Sequence, residues 1–139
     1  MNRFVLDASI ALGWFIDAPI SPYAVRVRRR LLRGSRAVVP ALWHLEVANG
    51  LAMAERRGVL TADAVGRSLD LLEELLAHAV PTDADPFSLR EILSSARAFA
   101  LSAYDAVYLE TARRAGIALA TLDNRLRAAA AQAGVTLLR

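Results

Sequence analysis

Short apolar runs alternate with segments of helical period along the whole chain, and that alternation sets the fold class. Phe4-Val5-Leu6 reads as a buried strand ending on Asp7, and Asp7-Ala8-Ser9 leads into an apolar helix from Ile10 to Ile16 that stops before Pro19. Ser21-Pro22 supplies an N-cap and a first-turn proline for a helix to about Leu32, closed by Gly34. Ala37-Val38-Val39 is the second strand, and Pro40 starts a helix that runs to Arg57 and is stopped by Gly58. Thr61 caps the next helix, with Asp63 in its first turn and Val65, Leu69, Leu72 and Leu76 as its buried stripe. Ala77 to Val80, bounded by Pro81, is a third strand. Asp85-Pro86 opens a helix carrying Leu89, Ile92, Leu93, Ala96 and Phe99, which ends at Leu101-Ser102. From Ser102 a helix runs to Gly116, the strand Ile117 to Ala120 follows, and Thr121 and Asp123 stand at its end. An alanine-rich helix, Asn124 to Ala133, and a last strand, Val135 to Leu138, complete the pattern.

Strands alternating with helices predict an α/β fold of three layers, α/β/α, around a mainly parallel five-stranded sheet. At 139 residues the chain reads as one domain, 1–139, with no internal repeat, low-complexity tract or linker. Helix N-termini and strand C-termini meet at one edge of such a sheet, where these folds bind ligands. Asp105, in the first turn of the helix opened by Ser102, and Asp123 are therefore expected to be neighbours.

Composition narrows the chemistry. No apolar run approaches the roughly 20 residues that span a bilayer, and the N-terminus lacks the order of a signal peptide, so a cytoplasmic protein is expected. With no cysteine there is neither a disulfide nor a thiolate zinc site. The net charge is +3 and the pI about 10.2, an excess that favours a polyanion as partner. All 17 basic residues are arginine. A chain without lysine carries no Walker lysine, no Schiff-base lysine and no lysine of a phospho-aspartate receiver. Ser9, two residues after Asp7, argues against an Asp-x-Asp phosphatase.

Four carboxylates fall where the topology can gather them: Asp7 after the first strand, Glu46 in the second turn of the third helix, Asp105 and Asp123. Two carboxylates about 5 Å apart repel by roughly 3 kcal/mol at an effective dielectric near 20, so such a group needs cations or protons. Hard oxygen donors without cysteine, and with neither histidine beside an acidic strand end, point to Mg²⁺ or Mn²⁺. An ion of that kind orients water and neutralises charge building on a phosphodiester, so hydrolysis of a nucleic-acid backbone suits these parts best. Three of the acids also read as parts of helix caps. Ser102-Ala103-Tyr104-Asp105 fits a capping box, Thr121 or Asp123 fits the start of the last helix, and Asp7 that of the first. Glu46 lies among Leu42, Trp43, Leu45, Val47 and Ala48 on a segment apolar nearly all round, where a buried carboxylate needs a partner.

Four blocks together resemble the PIN-domain ribonucleases, and within them the VapC toxins of bacterial type II toxin-antitoxin modules. They are Val-Leu-Asp-Ala-Ser at the N-terminus, Pro-Ala-Leu-Trp-His-Leu-Glu-Val-Ala-Asn at 40–49, Leu-Ser-Ala-Tyr-Asp-Ala-Val-Tyr-Leu at 101–109 and Leu-Ala-Thr-Leu-Asp at 119–123. The similarity covers essentially the whole chain. It implies that Asp7, Glu46, Asp105 and Asp123 are catalytic, metal-binding acids, that Ser9 and Thr121 hold carboxylates or a metal-bound water, and that Asn49 acts behind them. The implied reaction is attack of a metal-bound water on an RNA phosphodiester, leaving a 5'-phosphate and a 3'-hydroxyl. The implied partners are RNA, a cognate antitoxin, and a second copy of the chain or a toxin-antitoxin hetero-oligomer. A PIN nuclease of RNA processing or decay without an antitoxin would use the same acids, and a non-catalytic PIN-fold interaction module is the reading outside enzymes.

Arg26, Arg28, Arg29, Arg30, Arg33 and Arg36 crowd the second helix and its exit, too closely spaced for a single face. They read either as a solvated surface or as a phosphate-contacting patch in which Arg26, Arg29, Arg30 and Arg33 touch RNA. Trp14, Phe15 and Trp43 read as core packing or an apolar groove, with base stacking second. At 100° per residue His44 points about 200° away from Glu46 and, like His78, has no catalytic role. Tyr104 and Tyr108 read as packing.

Overall fold

The computed structural model describes residues 2–82 and 86–139. Its strands are β1 (Arg3–Leu6), β2 (Arg36–Val39), β3 (Val80–Pro81) and β4 (Leu119–Ala120). Its helices are α1 (Ala8–Ile16), α2 (Pro22–Leu32), α3 (Ala41–Arg56), α4 (Ala62–Leu75), α5 (Leu89–Phe99), α6 (Ala103–Ala115) and α7 (Asn124–Ala133). The strands pair in the order β3-β2-β1-β4, all parallel, with Val5 opposite both Val38 and Leu119. A parallel strand covered on both faces must be apolar throughout, and Phe4, Val5 and Leu6 are fully buried at the centre of the core. Helices α1 to α4 pack on one another, as do α5 to α7, and these two groups with the sheet make the three layers.

Two close approaches fix α1 against its neighbours α3 and α2. A Cβ on Gly50 would stand 2.5 Å from Leu12, so glycine lets α3 settle directly on α1. Trp14 is buried in α1 and its indole N–H donates to the Ala24 carbonyl at 2.8 Å, which locks α1 to α2. Its ring meets Phe15 edge-on, and Trp43 of α3 is buried, so the two tryptophans are core and Phe15 is partly buried against it.

The sheet among the described residues has four strands, not five. Val135 to Leu138 contributes one isolated bridge, Leu119 to Leu137, closed by Leu119 N–H to Thr136 O and Leu138 N–H to Leu119 O, both 2.9 Å. The cause is the length of β4: it spans two residues instead of Ile117 to Ala120, so an outer strand finds a single rung to pair with. β3 is shifted onto Val80 and Pro81, and an edge strand accepts a proline because its missing N–H need not join a ladder. α1 starts at Ala8, two residues before the apolar run. Asp85 lies outside the described residues, and α5 is opened by Ser88, whose hydroxyl accepts from Glu91 N–H while Glu91 accepts from Ser88 N–H, a complete capping box. In α4 the buried face carries Ser68 and Leu72, and Leu69 is turned outward.

Candidate active site

In the order β3-β2-β1-β4 the chain leaves β1 toward β2 on one side and returns as β4 on the other, which opens a crevice at the C-terminal ends of β1 and β4. Asp7 ends β1 there, and its N–H donates to Ala120 O at 3.0 Å, so the last residue of β4 sets its height. Thr121 to Asp123 leave β4 into α7 at the same edge, and α6 delivers Asp105 in its first turn.

Asp7 is buried, and two hydroxyls donate to one of its oxygens: Ser9 Oγ at 2.6 Å and Thr121 Oγ1 at 2.7 Å, both to Oδ2. Each hydroxyl has a single proton, so both are committed, and their lone pairs accept in turn from Leu122 N–H and Asp123 N–H, each at 3.0 Å. The chain of bonds orients Asp7 and favours its charged form. Both donors fall on Oδ2, leaving Oδ1 outside the pair. Asp7 makes no side-chain cap bond to α1.

The other three acids differ in what the fold already asks of them. Asp123 Oδ1 accepts from Arg125 N–H at 2.8 Å and Leu126 N–H at 3.0 Å, so this carboxylate caps α7 with one oxygen. Asp105 has no such duty: Ser102 Oγ accepts from the Asp105 backbone N–H at 3.1 Å, but the carboxylate completes no capping box. Glu46 is half-buried and accepts from Tyr108 O–H through Oε1 at 2.7 Å. The α3 segment around it is not apolar-buried all round, for Trp43, Val47 and Leu51 face the core while Leu45 is 73% exposed.

Burial raises the pKa of Asp7, Glu46 and Asp105 above the ordinary carboxylate values of 3.8 and 4.5. For Asp7 the Ser9 and Thr121 bonds oppose that rise and the charge of Asp123 adds to it. For Glu46 the Tyr108 bond opposes it, and Asp7 and Asp105 add. For Asp105 the charges of Asp123 and Asp7 add, against Ser102 and Arg125. The four acids therefore share one field. Because the folded state holds these protons more tightly than the unfolded chain, their contribution to stability is full below about pH 4 and is lost as pH rises through the raised values. Melting of the metal-free protein should accordingly show Tm falling as pH rises above the ordinary carboxylate range, and a Tm that climbs there would refute the shared field.

The donor set fits a hard divalent cation, since it is all carboxylate, with hydroxyls behind it and no sulfur or imidazole. Among the described residues no three of the acids stand close enough to form a ready-made cage. Ser9 and Thr121 sit behind Asp7, whereas Asn49 is exposed on α3 and hydrogen-bonds to none of the four acids. Tyr108, read from sequence as packing, is fully buried in the core and also donates to Glu46. Its phenol is buried against Glu46, which pushes its own pKa up and keeps it a donor. Its place three residues after Asp105 on α6 puts both on one helical face, and that spacing was the available signal. Tyr104 is exposed, and His44 meets Trp43 edge-on away from the acids. Arg26, Arg29, Arg30 and Arg33 do not join the acids: with Asn2 and Ser35 they line a cavity at the start of β1 and β2, the opposite edge of the sheet.

The model of the PIN domain family matches residues 4–132. Among solved structures the chain is similar to PAE2754 from Pyrobaculum aerophilum, with a TM-score of 0.68 and 24% identity over 92% of this chain and 84% of that one. It is also similar to FitAcB from Neisseria gonorrhoeae, with a TM-score of 0.60 and 20% identity over 98% of this chain and 96% of that one. These likenesses speak for the fold. No curated protein sequence matches significantly. With the family model spanning nearly its whole length and the parallel sheet carrying its acids at one edge, the chain belongs to the PIN domain family.

Proposed function

We propose that the chain is a divalent-metal-dependent endoribonuclease of the VapC type, the toxin of a cytoplasmic toxin-antitoxin pair. The observation that carries this reading is the convergence of Asp7, Glu46, Asp105 and Asp123 on the β1/β4 crevice, where Asp7, Glu46 and Asp105 each sense the charge of another acid. These four would hold Mg²⁺ or Mn²⁺, and the cation would supply neutralisation of phosphodiester charge and a polarised water.

The chain's own residues prepare that chemistry. Ser9 and Thr121 keep Asp7 oriented and biased toward its ionised form. Tyr108 holds Glu46 by one oxygen. Asp123 is fixed by the N-terminus of α7, whose N–H groups and dipole favour a negative charge. Asn49, one turn beyond Glu46, is assigned a supporting role on the substrate side of α3. A protein partner, either an antitoxin or a second copy, finds apolar surface at Leu45 on α3 and at Leu89 and Leu93 on α5, all exposed. No helix among the described residues is long and apolar enough to cross a membrane.

The test is incubation of purified protein with single-stranded RNA in Mg²⁺, in Mn²⁺ and in EDTA, with analysis of the product ends. Cleavage in either metal that leaves 5'-phosphates and stops in EDTA is expected. Cleavage unaffected by EDTA would reject the metal-dependent reading.

A further inference from the structure

The arginines of α2 form a track and not a scatter. Arg26, Arg29, Arg30 and Arg33 stand at positions i, i+3, i+4 and i+7, one face of the helix. Arg28 lies about 200° around the helix from Arg26, and Arg36 lies in β2 with its guanidinium donating to His78 O at 3.0 Å, so neither belongs to that face. At the far end the four arginines, with Arg139, line a cavity of about 500 Å³. Arg30 donates twice to the Arg139 backbone oxygen, at 3.0 and 2.7 Å, which ties Arg139 to the wall of that cavity. No carboxylate pairs with Arg26, Arg29 or Arg33 among the described residues.

The near end reaches the acids. Tyr23, in the first turn of α2, is pinned by its O–H to Leu138 O at 2.8 Å, and its ring carries two guanidinium groups, Arg26 at 5.5 Å and Arg127 at 4.9 Å from the centroid. Arg127 also donates to Thr121 O at 2.9 Å, directly behind the site. Arg125, two residues earlier, is exposed in the first turn of α7, and its charge acts on Asp105. Positive charge thus runs from the mouth of the acidic crevice, across Tyr23, and down the 11-residue α2, which spans about 16 Å.

We propose that this track, from Arg125 and Arg127 over Tyr23 to Arg26, Arg29 and Arg33, binds the phosphate backbone of a single-stranded RNA leading away from the acidic crevice. The inference rests on the nuclease reading for the identity of the polymer. Arginine suits the role because its fork takes phosphate oxygens in pairs, and unpaired guanidinium groups in file match successive phosphates. Reading of base edges is no part of it, so the track adds affinity and direction to binding without sequence preference.

The test measures binding of a labelled single-stranded RNA long enough to reach from the acids to Arg33, in EDTA so that no strand is cut. Arg29 and Arg33 are exposed and hold nothing in the fold, so Arg29→Gln/Arg33→Gln leaves folding unaffected. Losing two phosphate contacts should lower the slope of log affinity against log salt by about 1.4 and weaken binding about 25-fold near 0.1 M salt. Arg29→Lys/Arg33→Lys should recover most of it, and the loss should shrink as the strand is shortened. Wild-type affinity and slope in the Gln variant, or an equal loss for a short duplex DNA, would overturn the proposal. If the wild type cuts no RNA in metal while the arginine-dependent affinity stands, the nuclease reading fails and the track does not.

Discussion

Asp105→Asn is expected to lower metal-dependent RNA hydrolysis by about a hundredfold to a thousandfold while raising the melting temperature of the metal-free protein. The two directions follow from one fact: the cap of α6 does not depend on this carboxylate. The helix cap at α6 is made by Ser102 Oγ and the Asp105 backbone N–H, which asparagine keeps. What asparagine removes is a negative charge, half-buried and facing Asp123 and Asp7. Like charges in a half-buried site repel, and partial exposure to water screens that repulsion to about 1 kcal/mol. For a chain of 139 residues that corresponds to a rise of about 3 °C. Calorimetry in EDTA and a single-turnover cleavage assay on the same preparation check it. A lowered apo melting temperature would assign Asp105 a structural role.

Thr121→Val should be the most damaging single change to the hydroxyl network. Thr121 is fully buried, donates to Asp7 Oδ2 and accepts from Asp123 N–H. Valine keeps the shape and forfeits both bonds, stranding a buried N–H and half of Asp7's donors, a loss of about 1 to 3 kcal/mol. The same change removes a cause that lowers the Asp7 pKa, so ionisation moves to higher pH. A ligand must be deprotonated to bind its cation, so the acid limb of the pH–rate profile shifts upward. Thr121→Ser, which retains both bonds, should restore the limb. Urea melts and pH–rate profiles of the two variants decide the matter, and a Thr121→Val protein with the wild-type limb would remove Thr121 from the site.

The site was more legible than the sheet that carries it. An apolar run ending on an acid announces its own geometry, so Asp7 and the Thr121 to Asp123 turn could be placed at one edge from the alternation of strands and helices alone. The outer strand could not, because Val135 to Leu138 has strand composition and only the brevity of β4, set where Thr121 turns toward Asp7, denies it partners. The opening of α5 was readable and misjudged: Ser88-Leu89-Arg90-Glu91 carries the capping pattern, which outweighs a proline two residues upstream. Leu45 and Leu69 show the limit of apolar patterning, since periodicity cannot say which apolar residue of a crowded helix is turned outward. The arginines needed topology: a helix that precedes β2 must end at the N-terminal edge, so its basic face runs away from the acids and not around them.

The two acids that close the crevice carry opposite obligations, and this separates stability from chemistry. Asp123 caps α7 and presents its second oxygen; the Asp105 carboxylate caps no helix. With Asp7 and Glu46, these acids are proposed to form one cation-binding centre. Its most direct test is a thermal melt at pH 7.5 titrated with Mn²⁺, for the wild type and for Asp105→Asn. The wild-type melting temperature should climb with the logarithm of Mn²⁺ concentration, as binding to the native state requires, and the variant should stay nearly flat from its higher starting point. Parallel climbs in both proteins, or no climb in the wild type, would contradict it.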